Sequence, residues 1–583
     1  MEEIKATLKK AIKNLYNLDF DPEITPAPAN IDADYSTNAP LKLIKELHKS
    51  PMEIAEALEE SISSSVTPPG FLNFTLSDNY LKESINNLYN NFDASIKSDA
   101  YEGKTVICEF SDPNPFKVLH VGHLYTSIVG DSIGRLFEYA GARVIRANFG
   151  GDVGLHVAKT MYALLLQKDT TDLKIEDIAK CYIEGTALYD TDEKAKSEIT
   201  KLNKEIYRIN AENLHDTDLA KVYWQGRELS YEYFDQFYST IGVKFDKYYP
   251  ESTVAALGLK TVKEQLEKGV YEMSDGAVIF NGEKFGLHTR VFINKEGVPT
   301  YETKDVGLIF TKWQDWHFDK SVVITGSEQL DYMKVVLKSI EQYAPDLVKK
   351  TAHLTHGLVK LPGGVKMSSR KGNFLKAIDV LDMVKDELKK EYDSTDDKVS
   401  LAATKYAFLK YKMGGNIIFD PKESVKMTGN SGPYLLYACV RAKKILASVG
   451  NTFEEHNTLI GSDSQNKIRA SIRDNGSGIA SEPRNDGRER SGERELVLES
   501  PERQLMKKLL DYKTVLQEAV AEMAPHKLAN YLYELAQEFS RFYENCPVAG
   551  AKEEAERAKL VKVYLNVMTH GLNILGIEIP EEM

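Results

Sequence analysis

The sequence predicts a multidomain α/β protein whose central domain is built on a parallel sheet. The chain has 583 residues, enough for three or four domains of ordinary size. An apolar, β-prone run at 106–110 is followed by a loop, a helical stretch at 122–139 and a second β-prone run at 143–148. This strand–helix–strand order is typical of parallel strands, because the second strand returns through a crossover connection.

The central domain is expected to occupy residues 98–372. Short apolar runs at 322–325 and 351–361 predict later strands of the same sheet. Residues 160–295, approximately, have a mostly helical pattern and are predicted to form an insertion that interrupts the sheet. A helical connection is expected to follow at 373–430.

Two further domains are expected at the ends of the chain. In a small α+β domain at 1–97, apolar residues at helical spacing from Ile4 to Leu15 predict a helix, and alternation at 71–76 predicts a strand. An all-α domain is expected at 431–583. One of its predicted helices carries an apolar face typical of a helix bundle, formed by Leu528, Leu532, Leu535, Phe539 and Phe542.

The segment 461–494 differs from the rest of the C-terminal region in composition. It is rich in Ser, Gly, Arg, Asn and Asp and has few apolar residues. Such a segment cannot bury enough apolar surface to offset the entropy of ordering it. We therefore predict a flexible insertion.

Composition narrows the class of protein. The chain is 42% hydrophobic and 28% charged, and no stretch approaches the roughly 18 apolar residues of a membrane span. Its N-terminus leads directly into an amphipathic pattern, so we expect no secretory signal. The four cysteines are scattered without a Cys-x-x-Cys pair, which argues against a zinc ribbon and favours a reducing cytoplasm. The net charge of −13 neither supports nor excludes RNA binding, since local basic faces can bind RNA.

A histidine pair stands at the predicted start of the central helix, in the run His120-Val121-Gly122-His123. A helix start offers unpaired N–H groups and partial positive charge, which suits a phosphate. Gly122 has no Cβ, so we expect a nucleotide to approach the backbone there. A metal site is the alternative, but no nearby cysteine or acidic pair provides a third ligand.

A second candidate phosphate site lies between glycines at 363–372. It contains three cations and two hydroxyls, and lysine suits a phosphate as a point charge. The residues predicted to take part in ATP binding are Lys366, Met367, Ser368, Ser369 and Lys371. Alone, this run would fit a solvated basic loop equally well; the upstream histidine motif favours the phosphate site.

The segment Glu109–Leu124 resembles the signature segment of the arginyl-tRNA synthetases, and the similarity extends over nearly the whole chain. Segments 34–39 and 70–74 resemble the N-terminal RNA-contacting domain of that family, and 427–438 resembles the entry to its anticodon-binding bundle. The resemblance implies a Rossmann-like class I synthetase catalytic core with a helical insertion, a small α+β N-terminal domain and an all-α C-terminal anticodon-binding bundle.

The resemblance also implies roles for individual residues. It assigns His120, His123 and Lys366 to catalysis, with Lys117 as an additional cation. Ser369 stands where the family usually has a second lysine, so we expect Lys117, Lys366 and Lys371 to share the phosphate charge. His353 and Gly357 match positions that line the adenine, and Gly122 belongs to the same ATP site. The residues implied for arginine are Glu109, Asp112, Asn114, Tyr301 and Asp305, with Gln329 at the α-amino group.

The implied reaction joins L-arginine to tRNA(Arg) with ATP, accompanied by Mg²⁺, and gives AMP and pyrophosphate. The resemblance further implies a cytoplasmic monomer without zinc, and a need for bound tRNA in the first step. Three alternatives stay open: a small nucleotidylyltransferase, another class I synthetase such as one for cysteine, and a non-catalytic RNA-binding relative. The nucleotidylyltransferase would not need the terminal domains, and the cysteine enzyme would need zinc ligands.

Overall fold

The computed structural model describes residues 2–28, 30–167, 173–363, 375–450 and 498–583. The predicted residues Lys366, Met367, Ser368, Ser369 and Lys371, and the predicted insertion 461–494, lie outside these ranges. The chain divides into two compact units. The first comprises Met1–Ser95, Ile445–Tyr512 and Glu538–Tyr564, and the second comprises Ile96–Lys444, Lys513–Gln537 and Leu565–Met583.

The N-terminal part of the first unit is a small antiparallel sheet covered by helices. Its strands are β1 (Thr25–Pro26), β2 (Tyr35–Thr37), β3 (Ser65–Thr67) and β4 (Phe71–Phe74), in the order β1-β2-β4-β3. Its helices are α1 (Glu2–Tyr16), α2 (Ala39–Lys42), α3 (Ile44–Leu47), α4 (Pro51–Glu59), α5 (Asp78–Asn90) and α6 (Phe92–Ile96). The helix and the strand predicted here are confirmed. Leu8 and Ile12 of α1 pack with Leu72 of β4, because their spacing places both on one helix face.

The core of the second unit is a sheet of five strands, and these strands are all parallel, as predicted. Its strands are β5 (Thr105–Glu109), β6 (Arg143–Gly150), β7 (Lys247–Pro250), β11 (Lys320–Gly326) and β12 (Thr351–His356), in the order β12-β11-β5-β6-β7. The central strand β5 contains Val106, Ile107 and Cys108, all fully buried, because both faces of the sheet are covered. Helix α7 (Val121–Tyr139) makes the crossover from β5 to β6.

Four helices follow β6 and form the predicted helical insertion. They are α8 (Leu155–Leu165), α9 (Ile175–Thr191), α10 (Glu193–Glu212) and α11 (Asp218–Thr240), and their buried side chains form a separate apolar core. The range expected for this insertion also contains β7, which pairs with β6 in the parallel sheet. The four-residue strand was not predicted, since its two tyrosines, one lysine and one proline give no apolar run.

Helix α12 (Glu251–Glu267) leads to a three-stranded antiparallel sheet and then to α13 (Tyr301–Trp316). The strands are β8 (Glu272–Ser274), β9 (Ala277–Phe280) and β10 (Arg290–Ile293). After β11 come a 3₁₀ turn (Ser327–Gln329), α14 (Leu330–Glu341) and α15 (Pro345–Lys349).

The single strand predicted at 351–361 is wrong beyond His356. Residues Val359–Lys360 form β13, which pairs with β14 (Ile417–Ile418) and not with the main sheet. The chain turns at Gly357, where a Cβ would lie 2.2 Å from the carbonyl oxygen of Gly415. A side chain at 357 would therefore prevent this close backbone contact.

Helices form the rest of the described chain. They are α16 (Ala377–Tyr392), α17 (Asp397–Leu409), α18 (Pro421–Ser424), α19 (432–450), α20 (Ser500–Leu510), α21 (Tyr512–Glu522), α22 (Pro525–Asn545) and α23 (Glu554–Ile574). The apolar face predicted for α22 is confirmed, because Leu528, Leu532 and Leu535 are fully buried. Among the described residues, none of the helices has the length and apolar content to cross a bilayer.

Candidate active site

The histidine motif forms the start of α7. His120 is the N-cap residue, and its Nδ1 accepts a hydrogen bond from the Gly122 N–H at 3.1 Å. Nδ1 of His123 accepts from the backbone N–H of His120, also at 3.1 Å. The two rings stack with centroids 3.7 Å apart. This is a capping box made by two histidines, so the motif that was predicted to bind phosphate also begins the helix.

The hydrogen bonds determine the tautomer of both rings. Burial lowers the pKa of His120 to about 4. Burial, followed by the charge of His120, lowers the pKa of His123 well below its usual range. Both imidazoles are therefore neutral near pH 7. Because each Nδ1 accepts a backbone hydrogen bond, the single ring proton is on Nε2. The motif thus provides two N–H donors, on stacked rings, at a helix N-terminus.

Gly122 has a structural role within the motif itself. A Cβ at this position would lie 2.9 Å from Cε1 of His120, which is closer than side-chain atoms normally approach. The glycine therefore makes room for the capping ring of its own motif. Approach of a ligand to its backbone stays a prediction.

Lys117 lies near the histidines. Its Nζ is 4.4 Å from the ring centroid of Tyr182 on α9, and its charge contributes to the lowered pKa of both His120 and His123. A cation at this position is consistent with the additional phosphate contact expected from the sequence.

The residues that follow the predicted lysine loop are hydrogen-bonded to the histidine motif. The N–H of Val121 donates to the carbonyl of Leu375 at 3.0 Å, and the N–H of Ala377 donates to the carbonyl of Leu119 at 3.0 Å. Lys376 forms an antiparallel bridge with His120. Lys376, which follows the loop, therefore lies beside His120.

Strand register places two predicted binding residues at one level of the sheet, on the two strands that flank β11. Glu109 is opposite Val323, and Val323 is opposite His353, so all three lie at one level of the sheet. His353 Nε2 is 2.7 Å from Oγ1 of Thr325, and burial lowers the pKa of this histidine to about 4.

Asp305 is the most distinctive carboxyl of the predicted arginine site. It lies on α13, is 9% exposed, and accepts a hydrogen bond on Oδ2 from the hydroxyl of Tyr332. Burial, followed by the charges of Glu109, Glu251 and Glu302, raises its pKa to about 8. Within the described residues Asp305 forms no ion pair, whereas each of these three glutamates is paired with a lysine or an arginine.

Tyr301 begins α13 and is 56% exposed. The Nζ of Lys304 is 5.0 Å from its ring centroid, and Lys304 forms a buried ion pair with Glu251 at the start of α12. The pair fixes the first turn of α13, which carries both Tyr301 and Asp305.

Three other residues of the predicted arginine site have partners in the protein. Glu109 forms a buried ion pair with Lys312. Asp112 Oδ1 accepts from the N–H of Phe149 at 2.8 Å. Asn114 Oδ1 accepts from the N–H of Gly151 at 2.7 Å.

These bonds hold the loop after β5 against the end of β6. Burial and the charge of Glu109 raise the pKa of Asp112 well above its usual range. Gln329, expected at the α-amino group, is exposed at the end of the 3₁₀ turn that packs on β12.

Several residues around the site were not identified from the sequence. Asp152 is fully buried and accepts from the N–H of Ser252 at 2.9 Å, from its hydroxyl at 2.7 Å, and from Nε of Arg227 at 3.0 Å. It connects the insertion helix α11 to the start of α12. Tyr332, Lys304 and Lys312 were also missed, because a polar residue in an amphipathic helix gives no sign of its distant partner.

Comparison with known proteins matches three family models to the chain. The model described as tRNA synthetases class I (R), catalytic domain, matches residues 85–420. The arginyl tRNA synthetase N terminal domain matches 2–76, and the DALR anticodon binding domain matches 477–583.

Similar full-length proteins agree with these matches. An arginine–tRNA ligase of Fusobacterium nucleatum is 28% identical over 100% of this chain and 99% of its own length, and one of Treponema denticola is 27% identical over 100% of both. The solved arginyl-tRNA synthetase of Thermus thermophilus has the same fold, with a TM-score of 0.76 and 22% identity over 100% of both chains. Since the catalytic-domain model alone covers more than half of it, the chain belongs to the arginyl (R) family of class I tRNA synthetases.

Proposed function

We propose that this protein is an arginine–tRNA ligase, which activates L-arginine with ATP and transfers it to the 3′-terminal adenosine of tRNA(Arg). The observation that carries the choice of arginine is Asp305, a buried carboxyl near three other carboxylates, which has no ion-pair partner among the described residues. A guanidinium would supply that positive charge and offers five N–H donors in one plane. Tyr301, four residues earlier on α13, adds an aromatic ring and a hydroxyl.

In the first step, a carboxylate oxygen of arginine attacks the α-phosphorus of ATP. A new oxygen–phosphorus bond forms, the bond to the β-phosphate breaks, and pyrophosphate leaves with the negative charge. The Nε2–H groups of His120 and His123 donate to phosphate oxygens whose charge increases in the transition state, and Lys117 and Lys366 add positive charge. Mg²⁺ enters with ATP as part of the substrate complex.

In the second step, a ribose hydroxyl of the terminal adenosine attacks the carbonyl carbon of arginyl-adenylate, AMP leaves with its bridging oxygen, and the hydroxyl proton passes to the departing phosphate. We assign tRNA contact to residues 1–97, catalysis to 98–372, and anticodon binding to 431–583.

The four cysteines are buried free thiols, which supports a reducing cytoplasmic location. We also propose that the protein is a monomer.

Aminoacylation of total tRNA with each amino acid in turn tests the proposed function. We expect charging with arginine alone. Charging with another amino acid would replace the proposal by a different specificity, and no charging at all would favour an RNA-binding role.

We also expect arginine activation to require bound tRNA. Arginine-dependent exchange of pyrophosphate into ATP should be at background level without tRNA and should appear when tRNA(Arg) is added. Rapid exchange in tRNA-free enzyme would contradict this prediction.

A further inference from the structure

A tyrosine on a neighbouring helix holds the carboxylate of Asp305. Tyr332 lies in the first turn of α14, and its hydroxyl donates to Oδ2 of Asp305. Within the described residues this is the one hydrogen bond to that carboxylate, so Oδ1 is left for a ligand. The tyrosine and the aspartate are 27 positions apart in the sequence, and the packing of α13 against α14 brings them together.

Arg290 on β10 lies over the ring of Tyr332. Its guanidinium carbon is 5.2 Å from the centroid of the Tyr332 ring, and its Nη1 is 3.2 Å from Oε1 of Glu302. The Arg290 guanidinium therefore contacts Glu302 and the ring of Tyr332, and in the part of the chain that the structure describes the one hydrogen bond to Asp305 comes from a neutral hydroxyl.

A neutral donor has a different effect on a carboxylate from that of a cation. A hydroxyl that donates to one oxygen favours the ionised form and restricts rotation of the carboxylate, but it leaves the negative charge uncompensated. The charges of Glu109 on β5, Glu251 on α12 and Glu302 on the same helix raise the pKa of Asp305 further, although each of these carboxylates is paired with a cation. In these surroundings an unsupported carboxylate would be protonated more readily.

We propose that Tyr332 is a positioning residue for recognition of the arginine side chain: its hydroxyl holds Oδ2 of Asp305 so that Oδ1 faces the substrate guanidinium. This inference rests on the proposed function, since it concerns the same binding site. Tyr332 is not among the residues that the sequence resemblance implies for the arginine site.

The test is Tyr332→Phe, which removes only the hydroxyl, assayed by charging of tRNA(Arg) with arginine. We expect the KM for arginine to rise about tenfold, as for loss of one hydrogen bond to a charged group, while kcat and the KM for ATP change less than about twofold. In Tyr332→Phe the pKa of Asp305 should be higher than in the wild type, because the hydroxyl that favours its ionised form is gone. As the pH is lowered, arginine binding should therefore begin to weaken at a higher pH in the variant.

Tyr343→Phe is the matched control. It removes another largely buried hydroxyl just after α14, one that bonds to Tyr271, and should leave the KM for arginine unchanged. In an Asp305→Asn background, Tyr332→Phe should add no further loss of arginine affinity, because its effect requires the carboxylate.

The outcomes separate the inference from the proposed function. If the wild-type protein charges tRNA with arginine but Tyr332→Phe has a normal arginine KM and pH profile, the positioning role is wrong. Equal increases in the KM for arginine and for ATP would also overturn it. Failure of the wild-type protein to charge tRNA with arginine would contradict the proposed function itself.

Discussion

At the residue scale, Asp305 has an electrostatic environment that a bound cation would change. The pKa of about 8 means that this carboxyl is protonated more readily in the folded protein than in the unfolded chain. Between about pH 4 and pH 8 the unfolded chain has lost this proton and the folded protein keeps it. The free energy of unfolding therefore decreases as the pH rises through this range. A bound guanidinium would remove this unfavourable contribution.

Asp305→Asn should raise the KM for arginine at least 100-fold and leave the KM for ATP nearly unchanged, since loss of one partner of a buried ion pair costs about 3–5 kcal/mol. In the wild type, the KM for arginine should rise up to about tenfold per unit as the pH falls below 8, because Asp305 must lose its proton to bind the cation. Charging assays from pH 6.5 to 8.5 measure both effects. A pH dependence that persists in Asp305→Asn would assign it to another group.

His120 combines a structural and a chemical role that substitutions can separate. Asparagine is a good N-cap residue but does not reproduce the Nε2–H donor at the same position. His120→Asn should keep the thermal stability of the wild type and lose most of kcat. His120→Ala should lose kcat and also about 1 kcal/mol of stability. Stability and kcat measured on both variants test this; a stable, fully active His120→Asn would contradict the proposed role in turnover.

At the scale of elements, two glycines allow α12 and α13 to pack closely. A Cβ on Gly258 would lie 2.0 Å from the carbonyl oxygen of Thr303, and one on Gly307 would lie 2.1 Å from that of Val254. These contacts set the distance between the helix that begins with Glu251 and the helix that carries Asp305.

Gly258→Ala should therefore destabilise the protein by about 1–3 kcal/mol through overpacking, although alanine is the better helix former by about 1 kcal/mol. It should also raise the KM for arginine, because α13 must move. Thermal unfolding and charging assays measure both changes. Lys260→Ala, at an exposed position of the same helix, is the control. A more stable Gly258→Ala variant would show that helix propensity dominates over packing.

The elements also show how far the sequence could predict the fold. The alternation of β5, α7 and β6 was clear, because buried parallel strands are apolar runs and the helix between them is long. Strand β7 and the separation of β13 from β12 could not be predicted, since both depend on tertiary pairing and on the contact of Gly357 with Gly415.

The site was predictable to a similar degree. The sequence indicated the histidine pair, and the resemblance indicated Asp305, because both belong to continuous motifs. It did not indicate the partners of these motifs. Tyr332, Lys304 and Asp152 are single polar residues whose partners are 27, 53 and 75 or more positions away, so no local pattern marks them.

At the scale of the whole molecule, the first unit is assembled from three separate stretches of chain. Asp34, which is 7% exposed, pairs with Nη2 of Arg503 at 2.6 Å and with Nζ of Lys507 at 2.7 Å, and Arg503 also pairs with Asp78 at 2.5 Å. This ion-pair network joins the N-terminal sheet to α20 within the unit.

Arg503→Met should cost about 3 kcal/mol, because it leaves the buried carboxylate of Asp34 with a single cation. Amide hydrogen exchange at β2 should become faster than in the wild type. Arg541→Met, which breaks an exposed pair with Glu538 in the same unit, should leave exchange at β2 unchanged. Unaltered protection of β2 in Arg503→Met would contradict a stabilising role for the network.

The same division of the first unit has a consequence during synthesis on the ribosome. At about 5–20 residues per second, the roughly 410 residues between Ser95, the end of the first stretch, and Lys507 in the second take about 20–80 s to translate. The N-terminal stretch has its own apolar core and can collapse in that time, but Asp34 has neither Arg503 nor Lys507 to pair with. The nascent N-terminal stretch therefore carries an uncompensated carboxylate until α20 has been translated.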